Sequence, residues 1–186
     1  MKTAMKKRVL SALATCALLL GLGMFAPATA TAAPYCGITW GSLPETASGM
    51  SSAQIKNLRS GRHDFFDRLV VDLKGDVSGY SVKYVSSVNQ LGSGFAVPLS
   101  GAADLEVLVF APAHDADYRA TYTPRNRSQA VNVDGYRTFR QVAFSGSFEG
   151  QTLIGLGVRA RLPMRTFVLD GPGDGSRLVI DVAHRW

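Results

Sequence analysis

The chain has 186 residues, 46% hydrophobic and only 18% charged: enough for one domain with a proper core, and too apolar for wholesale disorder. Its 19 glycines and 8 prolines indicate many turns but no low-complexity fibre. The formal net charge of +6 points to nucleic acid or an anionic surface only until the N-terminus is read.

That N-terminus has the three-part layout of a secretory signal peptide. Lys2, Lys6, Lys7 and Arg8 form a positive start, Val9 to Ala28 carries no charge and centres on Leu18, Leu19 and Leu20, and Ala26, Ala28, Ala30, Ala32 and Ala33 follow. Signal peptidase takes small residues at −3 and −1 and disfavours proline at +1, so Pro34 favours a cut after Ala30 or Ala32. Residues 1–32 are therefore expected to be a leader and residues 33–186 one exported domain. The uncharged run is about the ~20 residues that a span needs. However, Gly21, Gly23, Pro27 and the Ala-x-Ala pattern favour cleavage, with no stable membrane span afterwards. Cys16 lies mid-run, with apolar residues from Ala17 to Phe25 after it, which argues against a lipoprotein.

Without the leader the balance changes. The remainder holds 16 basic and 14 acidic side chains, net +2, and 13 of the 16 are arginines. Arginine suits planar, bidentate pairing with carboxylates or phosphates. Bulk charge no longer argues for nucleic acid, and no such partner is expected. Cys36 is left alone, which excludes an intramolecular disulfide and a Cys-rich zinc site. It reads as a free thiol, an intermolecular link or a small buried hydrophobe.

The predicted elements are strands in short period-2 runs between glycine-rich turns. Ser51-x-x-Gln54 has the form of a helix capping box, but Gly49 and Gly61 leave room for one short turn at most. Ile55–Arg59 is a candidate strand. In Arg68–Leu73, Leu69, Val71 and Leu73 share one face while Arg68, Val70 and Asp72 share the other. Tyr80–Val88 alternates next, Phe95–Leu99 is a weaker candidate, and Asp104–Val109 sets Leu105, Val107 and Val109 against Asp104 and Glu106. Arg137–Phe148 and Gln151–Leu162 flank Glu149-Gly150, which reads as a hairpin turn. Met164–Leu169 and Arg177–Val182 flank a loop at Gly171–Gly175. The expected fold is all-β, a two-sheet sandwich or closed barrel of eight or nine strands. One near-repeat, Arg68-Leu-Val-Val-Asp72 and Arg177-Leu-Val-Ile-Asp181, suggests two pseudo-symmetric strands whose Arg68, Asp72, Arg177 and Asp181 form ion pairs on a sheet face.

Catalytic patterns are thin. No Ser sits in Gly-x-Ser-x-Gly and no HExxH occurs. His63 beside Asp64, and His114 near Asp115 and Asp117, are the only His/Asp groups that a small secreted hydrolase could use. Asp67, Asp72 and Glu149 are conceivable glycosidase carboxylates but form no assignable pair. Gly155-x-Gly157-x-x-Ala160 lies inside an alternating strand, so it reads as a bulge or close backbone approach and not as a dinucleotide loop. No metal site, catalytic residue or cofactor is expected. The best binding segment is His114–Arg127, where Tyr118, Arg119, Tyr122 and Arg125 interleave aromatic rings with cations able to stack on sugars and hold anionic groups.

Several separated motifs, in order, resemble the AMIN-like domain of exported actinobacterial proteins over residues 36–186. They are Cys36-Gly-Ile-Thr-Trp40-Gly, Gly61-Arg-His-Asp-Phe-Phe-Asp-Arg-Leu-Val-Val-Asp-Leu73, Gly135-Tyr-Arg-Thr-Phe-Arg-Gln141, Gly146-Ser-Phe-Glu-Gly-Gln-Thr152, Gly155-Leu-Gly-Val-Arg-Ala-Arg161 and Ser176-Arg-Leu-Val-Ile-Asp-Val-Ala-His184. The resemblance implies a two-sheet β-sandwich and a secreted, non-catalytic module. Its partner would be cell-wall glycan or peptidoglycan, or an envelope protein, with Tyr118, Arg119, Tyr122 and Arg125 as ligand contacts. A protein-binding or inhibitor module acting through strand edges is the alternative outside catalysis. Many relatives carry a second Cys in the stretch matching Arg62–Arg68, able to pair with the one matching Cys36. This chain has Phe65 and Phe66 there, so a stabilisation of roughly 2–4 kcal/mol would have to come from packing.

Overall fold

The alternating runs become nine strands in a computed structural model that describes residues 36–186; the leader assigned to residues 1–32, Cys16 included, lies outside the described residues. In chain order the strands are β1 (Glu45–Ala47), β2 (Gln54–Arg62), β3 (Phe66–Lys74), β4 (Tyr80–Val85), β5 (Ala103–Val109), β6 (Phe139–Phe148), β7 (Gln151–Val158), β8 (Met164–Asp170) and β9 (Gly175–Ala183). They form a five-stranded sheet, β1-β4-β5-β7-β6, and a four-stranded sheet, β2-β3-β9-β8. Every strand pairing is antiparallel. One core cluster takes Leu69, Val71, Leu178 and Ile180 from the smaller sheet and Leu105, Val107, Ile154 and Leu156 from the larger. The fold is thus an all-β, two-layer sandwich, with no helix among the described residues.

The β6–β7 hairpin turns at Glu149 and Gly150 as expected. Phe148 faces Gln151 across it, and both turn residues have positive φ, 49° and 76°, the backbone that a two-residue type I′ turn requires. Ser51 starts no helix. Its hydroxyl accepts from Ala53 N at 2.9 Å and donates to Asp76 O at 2.5 Å, a side-chain-bonded turn that feeds straight into β2. The edge strand β1, only three residues long, carries no alternation and was not expected.

Phe95–Leu99 is not a strand. Only Ala96 makes a bridge, to Asn89, and Pro98 has no N–H to give to a ladder. The segment instead lies across β7. A Cβ at Gly157 would fall 2.1 Å from Ser100 O, and one at Gly155 would fall 3.1 Å from the Leu99 side chain. Gly155 and Gly157 are therefore seats for a crossing backbone, the close approach expected of them. Gln141 ties the crossing down: its Oε1 accepts from Ser100 N at 2.8 Å, while its Nε2 donates to Pro98 O at 3.3 Å and to Ser128 O at 2.9 Å.

The Arg-Asp near-repeat falls on β3 and β9, which are neighbours. Antiparallel register sets Arg68 opposite Asp181 and Asp72 opposite Arg177. A repeat of Arg and Asp four residues apart on antiparallel strands brings each arginine opposite the other strand's aspartate.

Candidate functional site

Two regions gather the side chains singled out by composition. The first is the 113–127 connection. His114 bridges to Ala120, and Asp115 organises the tip between them. Its N–H donates to Arg119 O at 2.9 Å and its carbonyl accepts from Tyr118 N at 3.1 Å. Its Oδ1 accepts from Asp117 N and Arg119 N, both at 2.9 Å. This self-bonded turn holds Tyr118 at a φ of 59°, a region that costs a bulky L-residue about 1–3 kcal/mol and persists only where the surroundings impose it. The Tyr118 ring stacks on His114, with centroids 5.0 Å apart and planes inclined by 23°, yet the residue remains 83% exposed. One ring face is thus supported from behind while the side chain as a whole is presented to solvent.

The other three candidates separate. Arg119 meets Asp117 at 3.1 Å and Asp115 at 4.0 Å on the same tip. Arg125 is exposed and enters no ion pair among the described residues. Tyr122 turns inward, packs on the core and meets the Phe144 ring edge-on at 5.1 Å. Burial raises its hydroxyl above the usual tyrosine range. It lines a cleft of about 280 Å³ whose wall includes Arg127 and Phe144. Arg127 belongs to the same aromatic–arginine segment, so this part of the site was within reach of the sequence.

The second region is the outer face of the four-stranded sheet. Arg68 Nε and Nη2 bind Asp181 at 2.6 and 2.8 Å, and Arg165 Nε joins the same carboxylate from β8 at 2.8 Å. Asp181 is fully buried beneath the pair. Aromatic rings brace both guanidiniums: Arg68 lies over Phe66 and Phe167 at 5.1 and 5.5 Å, and Arg165 lies over Trp40, Phe66 and Phe167 at 5.3, 5.5 and 5.0 Å. Phe66 and Phe167 are the rings that both arginines share. Asp72 is held by Arg59 through contacts of 2.8 to 3.1 Å, a bond that raises the guanidinium's already high pKa. Arg177 faces Asp72 in register but donates to Asp170 O at 2.9 Å and makes no ion pair among the described residues.

The histidines considered for hydrolysis are not joined to carboxylates. His63 stacks on Phe66 at 4.4 Å, and His114 Nδ1 lies 2.8 Å from Asp115 O. The one His–carboxylate pair among the described residues is His184 Nε2 with Asp67 Oδ1 at 3.2 Å. Asp67, fully buried, also accepts from Thr138 N at 2.5 Å and Phe139 N at 3.2 Å. It pins the start of β6 to the other sheet and lies away from solvent. Cys36 is exposed and free, so of its possible readings the buried hydrophobe is the one the structure removes. A larger cleft of about 590 Å³ lies by Tyr84, Asp104 and Arg161. Burial raises the Asp104 carboxyl above its usual range, and nothing in the composition had marked that cleft.

Against known families, the AMIN-like domain model matches residues 53–184. The chain therefore belongs to the AMIN-like domain family, whose members are generally non-catalytic, cell-wall-targeting modules of the envelope or of secreted proteins. No curated protein and no solved structure matches it. No helix among the described residues is long and apolar enough to cross a membrane.

Proposed function

We propose that this protein is a secreted, non-catalytic module that binds the glycan of peptidoglycan through the 113–127 connection. The observation that carries the reading is Tyr118. An aromatic residue held at positive φ by four backbone and Asx hydrogen bonds, stacked on His114 from one side and 83% exposed, is a platform prepared before any ligand arrives. A pyranose ring offers an apolar C–H face that stacks on such a ring, and a side chain with few rotamers to lose adds contact at low entropic cost. Arg119 and Arg125 supply donors for ring hydroxyls, acetamido carbonyls or wall carboxylates. Membership of a family that generally targets the cell wall supports a wall component as the partner.

The test is sedimentation of the purified protein with isolated peptidoglycan. Enrichment in the pellet over a soluble control is expected at both low and moderate salt, because stacking is little screened. Tyr118→Ala should lower the apparent affinity by about tenfold, a loss near the 1.4 kcal/mol scale of one aromatic contact. No enrichment of the unaltered protein at either salt would remove the reading.

A further inference from the structure

The second half of the 113–127 connection runs along β6, where the ladder is interrupted. The pairing of β6 with β7 shifts between Phe144 and Gly146. Arg127 occupies the irregularity. Its backbone carbonyl accepts from Phe144 N at 2.8 Å, and its side chain donates to Phe144 O at 3.4 Å and to Ser145 O at 2.8 Å. Gly146 has a φ of 107°, and a Cβ there would come 2.4 Å from Arg127 Nη2. The bulge and the guanidinium are fitted to each other.

Three features show that this junction has capacity to spare. Arg127 uses Nε and Nη2 on the bulge and faces no carboxylate, so its charge is not neutralised by an ion pair among the described residues. Its guanidinium lies 5.5 Å from the Phe144 ring centroid, which fixes its plane without consuming a donor. Beside it, Ser145 Oγ is buried and has no hydrogen-bond partner, a condition that costs stability unless something else supplies the bond. Arg127 and Phe144 line two clefts at once, the one by Tyr122 of about 280 Å³ and one by Gln90 and Ser145 of about 340 Å³. A cation with a free edge stands between two open clefts, and the residue that carries the unpartnered hydroxyl lines one of them.

We infer that Arg127 and Ser145 form an anion-reading subsite that takes a carboxylate carried on a sugar ring, the carboxylate on the guanidinium and the hydroxyl donating to it. This rests on the glycan-binding reading above and names the chemical class that the site selects: acidic over neutral N-acetylated sugars. In a wall glycan that class is the muramic-type residue freed of its stem peptide, whose lactyl carboxyl is then an anion, as opposed to its glucosamine neighbour and to peptide-bearing muramic residues, in which that carboxyl is a neutral amide.

The experiment is an NMR titration of the purified protein with N-acetylmuramic acid and, separately, N-acetylglucosamine, which share the ring and differ in the lactyl carboxylate. The acidic sugar should bind about tenfold more tightly, the scale of one charge-assisted hydrogen-bond pair, with shifts at Arg127 and Ser145. Arg127→Gln should erase that preference. Because Arg127 also holds the bulge, Ser145→Ala is the second variant. It removes a hydroxyl that bonds nothing, so the fold is kept and the preference should fall by roughly threefold. Equal affinity of the unaltered protein for the two sugars, or an unchanged preference in Ser145→Ala, overturns the inference. Sedimentation with peptidoglycan separates the two readings. If the wild type still pellets while the sugar preference is absent, the subsite falls and the wall-binding function stands. If the preference is present but nothing pellets, the subsite stands and the wall-binding function falls.

Discussion

Seven of the eight residues of β7 are buried, whereas the last six of β8 are all at least partly exposed. Both are antiparallel strands in a two-layer sandwich, and the contrast lies in what covers them from outside. The crossing segment before β5 seats Leu99 and Ser100 on Gly155 and Gly157, and Val88, Ala143 and Leu153 are buried outside the main core cluster. The four-stranded sheet is finished mainly with its own side chains: Arg59 on Asp72, Arg68 and Arg165 on Asp181, and Phe66 and Phe167, joined by Trp40 from the segment before β1, against the guanidiniums. Val70 and Val179, paired on that outer face, are buried between the strand positions of these side chains. Long arginine stems shield apolar surface while their heads meet water, so a sheet face can be closed by backbone over glycine or by paired cations over valine.

The largest expected effect tests the second device. Asp181→Ala removes a fully buried carboxylate and leaves two guanidiniums facing each other. Loss of one partner in such a cluster costs about 3 kcal/mol, or a fall in melting temperature of roughly 10 °C for a domain of this size. Replacing all three members with apolar residues, Asp181→Leu with Arg68→Met and Arg165→Met, should recover most of it, since the deficit is uncompensated charge. A melting temperature within about 2 °C of wild type for Asp181→Ala would show that the ion cluster does not hold this face.

The first device is tested by Gly157→Ala. The new Cβ would lie 2.1 Å from Ser100 O, a backbone atom, so the crossing segment must lift. Overpacking of this kind costs about 1–3 kcal/mol, and hydrogen exchange should show the amides of Val97 and Ser100, bonded to Val88 O and Gln141 Oε1, losing protection before those of β3 and β9. Uniform protection across both sheets would mean that the cover and the sandwich open as one unit.

These two faces were not equally legible. β3 and β9 set apolar residues on one side against arginine, valine and aspartate on the other, so alternation marked both. Their pairing brings together what looked like a repeat. β7 is buried on both faces, so its pattern said nothing of which face meets the core; a close approach at its glycines was expected, but the segment that makes it was identified only by the structure. Arg165 was missed although its partner Asp181 lies directly opposite it on the next strand; the signal was Arg165-x-Phe167 at period 2, one short loop from Asp181. Asp67 was noted as a carboxylate, but its structural part was not. It occupies an inward position in line with Leu69 and Val71, where alternation expects an apolar residue, and the N–H groups of Thr138 and Phe139, together with His184 Nε2, explain a carboxylate there. At the candidate site, composition found the aromatic–arginine segment but could not tell the exposed Tyr118 from the inward Tyr122, because backbone sign and burial are not written in residue type.

A smaller effect is expected at Arg59. Its pair with Asp72 has good geometry, but the side chains remain 51% and 26% exposed. Exposed pairs contribute about 0.2–1 kcal/mol, so Arg59→Ala should lower the urea midpoint only slightly, and the difference should shrink in high salt. A loss as large as that of Asp181→Ala would erase the distinction between the rim of this face and its buried centre.

The smallest effect concerns the β8 edge of that sheet, finished by a side chain in place of a strand. Thr166 N donates to Glu45 Oε2 at 2.5 Å. Burial raises the Glu45 carboxyl above its usual range, and the Thr166 hydrogen bonds and Arg165 offset this only in part. With the folded value above the unfolded one, the native state holds more proton in the window between them. Stability from this group is fully present below the unfolded value, about pH 4.3, and is lost as pH rises through the folded value. Glu45→Gln keeps an oxygen for Thr166 N and cannot ionise, so its unfolding free energy should lack that decline and at neutral pH should equal or slightly exceed the wild type. Urea unfolding of both proteins at acidic and neutral pH measures the difference in slope. Identical slopes would assign the decline to other carboxyls, Asp104 first, and would make the edge contact at Thr166 an ordinary hydrogen bond with no charge penalty attached.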